Sequence, residues 1–392
     1  MPKEKIKSAI ERPVVAQTQV LPNSGFIERH VVIGDLHLRR TDPLGVIEQD
    51  GLNSRLKDKL GALNYAVDFA LTNKATHIDL LGDVFDAVNP PENLKRLFWT
   101  AIRPAIDAGM WVTIIIGNHD TTGEFFNFAG DALIAHEKIR IVNKRSWTRT
   151  TDSTKSDIMY IPYLHKTDLL NELQTNIKNN HKPMVIFGHF EIEGAELAPD
   201  NTVIREGLDR TLFDDVDLVW LGHIHKFQEL RPGMSYVGSA VKCDFGEVSN
   251  RKVFGVLDIT DDHNTIFKSY FIDIPQRPMY QIVIAENNPD NLYLEDKIPA
   301  SLAAPGVLIK FVIEGTKEWA DSLDKQRFRR RFPQALRVKF ETRLWDTDRP
   351  VTEVTTTNMT DRVHAFIKAK GKGQEYLNVG LMLAKQAQEV DL

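Results

Sequence analysis

Three apolar runs within the first 120 residues limit the fold more than any other feature of the chain. They read "RHVVIGD" (Arg29 to Asp35), "HIDLLGD" (His77 to Asp83) and "WVTIIIGNHD" (Trp111 to Asp120). Each is short and almost wholly apolar, the texture of strands buried on both faces in a parallel sheet. Between the first and second, Leu56, Leu60, Leu63, Ala66, Val67 and Ala70 share one stripe, which predicts a helix from about Ser54 to Asn73. Between the second and third, Pro90-Pro91-Glu92 predicts the start of another helix, since proline suits a first turn. Strand, helix, strand, helix, strand at this spacing is a βαβαβ unit with right-handed crossovers. Further on, "MVIFGHF" (Met184 to Phe190) and "DLVWLGHIH" (Asp217 to His225) repeat the apolar run that ends in Gly and a polar group. From about Phe227 to Ile274 short alternating strands predict antiparallel pairing.

A chain of 392 residues exceeds one ordinary core, so two or three domains are expected. The texture divides it into an N-terminal extension (1–27), a main α/β domain (28–275), and a small α+β domain (276–345) that opens at "PQRP". A Thr-rich linker (346–359) and a helical tail (360–392) broken at "GKG" follow. With 42% apolar and 26% charged residues the chain is of soluble globular type. A net charge of −5 excludes a wholesale polycation, so any nucleic-acid contact must come from local basic patches. One cysteine, Cys243, excludes an intramolecular disulfide and a Cys-based zinc site, and suits a reducing, cytoplasmic setting (the host cytoplasm if the chain is viral). No run approaches membrane-span length, and the N-terminus lacks the apolar core of a secretory signal.

The strand ends carry the chemistry. They supply Asp35 and His37 in "GDLH", Asp83 in "GD", Asn118 and His119 in "GNHD", His189 in "GHF", and His223 and His225 in "GHIH". Ligands of open α/β sheets bind outside the carboxyl ends of the strands, so five strands would aim these groups at one place. A turn accounts for Gly117 and Asn118, but not for the adjacent His-Asp pair. Two carboxylates, an amide oxygen and several imidazoles form a mixed oxygen and nitrogen donor set that suits Mn²⁺, Fe²⁺ or Zn²⁺. Seven candidate ligands are too many for one ion and suit two ions that share a carboxylate and clamp an in-line displacement. His119 is left over as a general acid, with Asp120 expected to orient its ring and raise its pKa.

Taken together, "GDLH", "GD", "GNHD", "GH" and "GHIH" resemble the calcineurin-like metallophosphoesterase superfamily over about residues 29 to 274. "GDLHL", "LLGDVFD", "GHIHKFQ" and "YVGSAVKCDFGE" are similar, more narrowly, to SbcD-type DNA repair nucleases and their bacteriophage counterparts. The resemblance implies a four-layer αββα sandwich with a small α+β capping domain and a C-terminal helical tail. It implies that Asp35, His37, Asp83 and His225 hold one metal, that Asp83, Asn118, His189 and His223 hold the other, and that His119 is catalytic. Two Mn²⁺ are expected, with Mg²⁺ a weaker substitute. Two features depart from the pattern: the extra N-terminal stretch, and Asp86 where some members carry a histidine.

The same resemblance implies a nuclease subunit, acting as duplex exonuclease and single-strand endonuclease in double-strand-break repair and recombination. In the small domain Arg327, Arg329, Arg330, Arg331, Arg337 and Lys339 form a basic stripe of the kind that contacts DNA phosphates. In the tail Phe366, Ile367, Leu377 and Leu381 lie on short amphipathic helices that need a surface to cover them. The resemblance implies that this surface belongs to a coiled-coil ABC ATPase of the SbcC type, within a heterotetramer built on a homodimer of this chain, with no membrane. A phosphatase or phosphodiesterase acting on a non-DNA substrate is the other enzymatic reading. "GDVFDAVNP" lacks the arginine of the "GDxVDRG" pattern of protein phosphatases. A scaffold that has lost its metals is the non-enzymatic one, and no expected ligand is missing from the sequence.

Overall fold

The computed structural model describes residues 19–21, 26–122, 126–128, 135–143, 149–150, 158–170, 185–197, 201–262, 265–288 and 304–345. The chain divides into two compact units, one of Met1–Ile282, Leu294–Phe311 and Lys325–Phe340, the other of Val283–Tyr293, Val312–Asp324 and Glu341–Leu392.

In the first unit the expected βαβαβ order is present: β1 (Phe26–Ile33), α1 (Ser54–Thr72), β2 (His77–Leu80), α2 (Glu92–Asp107) and β3 (Trp111–Ile115). The Asn53 side chain caps α1 by accepting the Arg55 N–H at 2.9 Å. Helix α1 stops one residue short of expectation, with Asn73 as its C-cap. Strand β3 continues the sheet into β4 (Ile139–Val142), and β1, β2, β3 and β4 pair in parallel. On the far edge β11 (Val253–Asp262) pairs antiparallel with β1 and with β12 (Thr265–Asp273), giving the order β12-β11-β1-β2-β3-β4. Of the segment read from the sequence as antiparallel, this later part extends the first sheet; the earlier part joins a second sheet, where one of its two strands also pairs in parallel.

A second six-stranded sheet contains β5 (Arg149–Thr150), β6 (Ile158–Ile161), β7 (Val185–His189), β8 (Leu218–Gly222), β9 (Gln228–Arg231) and β10 (Met234–Tyr236). Its order is β5-β6-β7-β8-β10-β9, and β6, β7, β8 and β10 run parallel. The two sheets sandwich one apolar layer. Val32, Leu81, Ile115 and Val142 meet Tyr160, Phe187, Leu218 and Trp220 there. The intervening residues face the other way: Val31, Ile33, Ile78, Ile114 and Ile116 pack with α1 and α2, while Met159, Ile186, Val219 and Leu221 line a third cluster. The isoleucine run of "TIII" therefore serves two cores, as strand periodicity demands. Each such side chain contributes on the order of 1.5–3 kcal/mol when fully buried. The result is an α/β sandwich.

A three-stranded sheet has the order β13 (Met279–Ala285), β14 (Leu308–Gly315), β15 (Arg337–Leu344). The single helical stretch expected near Lys317 to Arg331 is two helices, α3 (Lys317–Ser322) and α4 (Lys325–Arg331). The break has a local cause: Leu323 is extended, with φ −75° and ψ 126°. Among the described residues, no helix is long and apolar enough to cross a membrane.

Candidate metal centre

Where the parallel strands of both sheets emerge, their loops are stitched to one another. Leu36 and His37 donate backbone N–H groups to the Asp83 carbonyl at 3.1 and 2.8 Å, and Leu38 donates to Val84 at 2.9 Å. The His119 N–H donates to Asp83 Oδ1 at 2.8 Å, and the His223 N–H reaches both Asp35 oxygens at 3.0 and 3.1 Å. His189, the last residue of β7, sets Nδ1 at 2.6 Å from the Leu81 carbonyl. That contact assigns the Nδ1 proton and turns Nε2 toward Asp83 and Asn118.

The backbone is strained at these loops. His37, Asp83 and His223 have φ of 45°, 48° and 86°. Such conformations cost about 1–3 kcal/mol each and persist where the surroundings over-determine them, commonly at functional sites. Two of the glycines have a direct steric reason. A Cβ on Gly117 would lie 2.2 Å from Asp83 Oδ1, and one on Gly82, at φ +97°, would lie 2.3 Å from His189 Nδ1.

The seven residues converge. Ligand atoms of Asp35, His37 and His225 lie within 4.8 Å of one another, and so do those of Asp83, His189 and His223. Asp83 joins the two groups: its Oδ2 is 3.6 Å from His37 Nε2 and 3.5 Å from His189 Nε2. His225 Nε2 faces His37 Nε2 at 2.9 Å. Asn118 Oδ1 lies 2.9 Å from His189 Nε2 and 2.8 Å from His223 Nδ1. Asp35, Asp83 and His189 are buried.

Burial opposes a charge on His189, yet Asp83 and Asp35 outweigh it and raise the pKa to about 9. Burial likewise opposes a charge on Asp83, and the imidazoles of His189 and His37 overcome it and hold the carboxyl below its usual range. The His189 imidazolium thus balances the Asp83 charge, as a divalent cation would, so its proton and a metal compete for the same atoms, whereas burial holds His37 and His223 below the usual imidazole range. The donors are two carboxylates, an amide oxygen and imidazoles, a set that fits divalent first-row ions.

His119 is exposed, and its ring meets His37 edge-on at 4.9 Å between centroids. Asp120 does not orient it. The Asp120 carboxylate is fully buried and accepts the Gly117 N–H at 3.0 Å, the Val84 and Phe85 N–H groups at 3.4 and 3.3 Å, and Asn127 Nδ2 at 2.6 Å. It clips the third loop to the second. Burial, with Asp83 nearby, raises its pKa to about 7.

Two further acids touch the ring nitrogens that face away from the cluster. Asp86 Oδ1 is 3.2 Å from His37 Nδ1, within ion-pair distance though not aligned as a hydrogen bond, and Glu191 Oε1 is 3.1 Å from His223 Nε2. Both lie within a few residues of a ligand, the one signal that marks them in sequence. Of the basic stripe, Arg327, Arg329, Arg330 and Arg331 are exposed on α4, and Arg329 stacks 5.3 Å from the Phe340 ring. Lys339 is half-buried, and Arg337 is engaged within the chain, donating to the Gly45 carbonyl at 2.6 Å. The tail residues Phe366, Ile367, Leu377 and Leu381 lie outside the described residues.

Comparison with known proteins agrees in kind. The profile of the calcineurin-like phosphoesterase family matches residues 29–227, just over half of the chain. The SbcD component of the SbcCD nuclease from Staphylococcus epidermidis is 28% identical over 133 residues, 33% of this chain and 34% of that protein. A DNA double-strand break repair protein Mre11 from Sulfurisphaera tokodaii is 23% identical over 270 residues, 65% of each chain. The matches therefore span about a third and about two thirds of these curated relatives. Among solved structures, a dimetal phosphatase from Danio rerio aligns with a TM-score of 0.39 and 12% identity, over 64% of this chain and 98% of that one.

Proposed function

This chain belongs to the calcineurin-like phosphoesterase family, and from that premise we propose that it is a two-metal DNA phosphodiesterase, the nuclease subunit of a repair complex. One observation carries the metal reading: Asp83 Oδ2 stands 3.6 Å from His37 and 3.5 Å from His189, between two groups of ligands. Asp35, His37, Asp83 and His225 would hold one ion, and Asp83, Asn118, His189 and His223 the other. Bound divalent cations, two Mn²⁺ by the family resemblance, would supply Lewis-acid polarisation of the phosphoryl group.

The chain's own residues do the rest. His119, whose N–H donates to Asp83 and whose ring is exposed, would give a proton to the departing oxygen. Asp120 keeps that loop in register. DNA is favoured over other phosphoesters by the four exposed arginines of α4, and by relatives named as a nuclease component and a break-repair protein. The SbcC-type ATPase, reached through the tail, remains part of this proposal.

The test is Mn²⁺-dependent digestion of linear duplex and single-stranded DNA, with Asp83→Ala as control, beside hydrolysis of p-nitrophenyl phosphate. The proposal expects DNA cleavage that Asp83→Ala abolishes. Hydrolysis of the small ester with no cleavage of either DNA would make the chain a phosphatase instead.

A further inference from the structure

His225 is reached from two sides, and only one faces the other ligands. Its Nε2 lies 2.9 Å from His37 Nε2, while its Nδ1 lies 3.2 Å from Glu247 Oε1. Glu247 is 3% exposed and ends the short 3₁₀ turn Phe245–Glu247. Its second oxygen accepts the Cys243 N–H at 3.0 Å and the Lys252 ammonium at 2.7 Å. Lys252 is also 3% exposed, and its ammonium donates further to the His225 carbonyl at 2.9 Å and to Ser239 Oγ at 2.6 Å. An ammonium has three donors, and all three are used here.

We propose that Glu247, held by Lys252, is a positioning residue that sets the ring of His225 for metal binding. Lys252 grips both ends of that residue, the main chain directly and the ring through Glu247. A carboxylate that accepts the Nδ1 proton fixes the tautomer, leaves the lone pair on Nε2 and makes that nitrogen more basic. Lys252 directly precedes β11 of the first sheet, and His225 follows β8 of the second. The clamp therefore ties the two sheets together beside the centre. The inference rests on His225 being a metal ligand, as proposed above.

A plain buried ion pair would look similar, and charge-neutral replacement separates the two. Buried pairs can often be exchanged for neutral groups without loss of stability, whereas removing one partner alone is destabilising. The experiment is Mn²⁺ titration of the full chain, followed by the electron paramagnetic resonance of free Mn²⁺, with thermal unfolding of the metal-free protein in parallel. Glu247→Gln and the double variant Glu247→Gln/Lys252→Met are compared with wild type. In both, the affinity of one of the two ions should fall by about 10–100-fold, while the other is unchanged and the double variant still unfolds cooperatively. Wild-type affinity in both variants would overturn the proposal, and so would a double variant that no longer folds. A wild-type chain that takes up no Mn²⁺ would overturn the metal reading itself, a result distinct from either.

Discussion

Strands β1 and β2 carry buried histidine–carboxylate clusters at two levels along their length. Toward their beginnings, His30 and His77 pair in register and stack at 4.1 Å. His30 sets Nδ1 at 2.7 Å from Asp79 and Nε2 at 3.5 Å from Glu28, and Tyr160 donates to Asp79 at 3.0 Å. His77 has its own partner in Thr76, at 2.8 Å. Beyond their ends, Asp35, His37 and Asp83 meet imidazoles from the second sheet. The first cluster lies on regular strand with no positive φ, and a buried imidazolium there is matched by its own carboxylate. The second lies on strained loops, with several imidazoles crowding two carboxylates and His37 and His225 nitrogens 2.9 Å apart. Residue types do not separate a structural network from a candidate site. Backbone strain does, and so does the number of imidazoles gathered on two carboxylates.

Removing the central carboxylate of each cluster should break the comparison in opposite ways. Asp83→Ala should abolish uptake of both ions, and with it all metal-dependent phosphoesterase activity, while the metal-free protein still unfolds cooperatively. Calorimetric metal titration checks this, and retention of both ions would sink the bridging role. His119→Ala should lower phosphodiester cleavage by about 10²–10⁴-fold and leave Mn²⁺ binding intact. Loss of an ion in that variant would make His119 a ligand.

Asp79→Ala should do the reverse of Asp83→Ala. It leaves His30 buried without its main partner and should cost about 3–5 kcal/mol of stability, read from denaturant unfolding, with no change in metal stoichiometry. The smallest effect is on pH. Burial opposes a charge on His30, but Asp79 and Glu28 raise its pKa to about 9 from an ordinary 6.5. Its contribution is therefore complete below pH 6.5 and lost between 6.5 and 9, on the order of 3 kcal/mol at most. Burial and the charge on His30 push His77 down to about 3, so below pH 6.5 the unfolded chain takes up that proton first and stability falls again. Arg140 also bears on His77, in the same direction. His189, also raised to about 9, loses its contribution over the same range, so stability of the metal-free protein should fall between pH 6.5 and 9 and His30→Gln should make that fall shallower. An unchanged fall would remove His30 from the account.

Much of the centre was legible because it lies where short apolar runs stop. A strand of β-branched residues must end at a turn, the turn needs glycine where backbones come close, and the next polar side chain points out of the sheet edge. That logic located Asp35, Asp83, Asn118, His189 and His223 from local sequence alone. It misread Asp120, since adjacency to His119 said nothing of the backbone N–H groups of Val84 and Phe85 that the carboxylate accepts. It passed over Glu247, which is 22 residues from His225 in the chain and 3.2 Å from its ring in space. Near Lys317 it ran two helices together, because side-chain periodicity does not register one extended residue.

The sequence by itself determined the three strands and two helices of the βαβαβ unit and the kind of group at each strand end it read, because these follow from periodicity and turn chemistry over a few residues; it did not register β4 or β6. Only the tertiary structure decided which groups face each other. His225 meets His37 across 188 residues, and Asn118 meets His223 across 105. Those pairings depend on strand order and on how one sheet packs against the other. Both are set by burial of side chains spread along the whole chain, which no local pattern records.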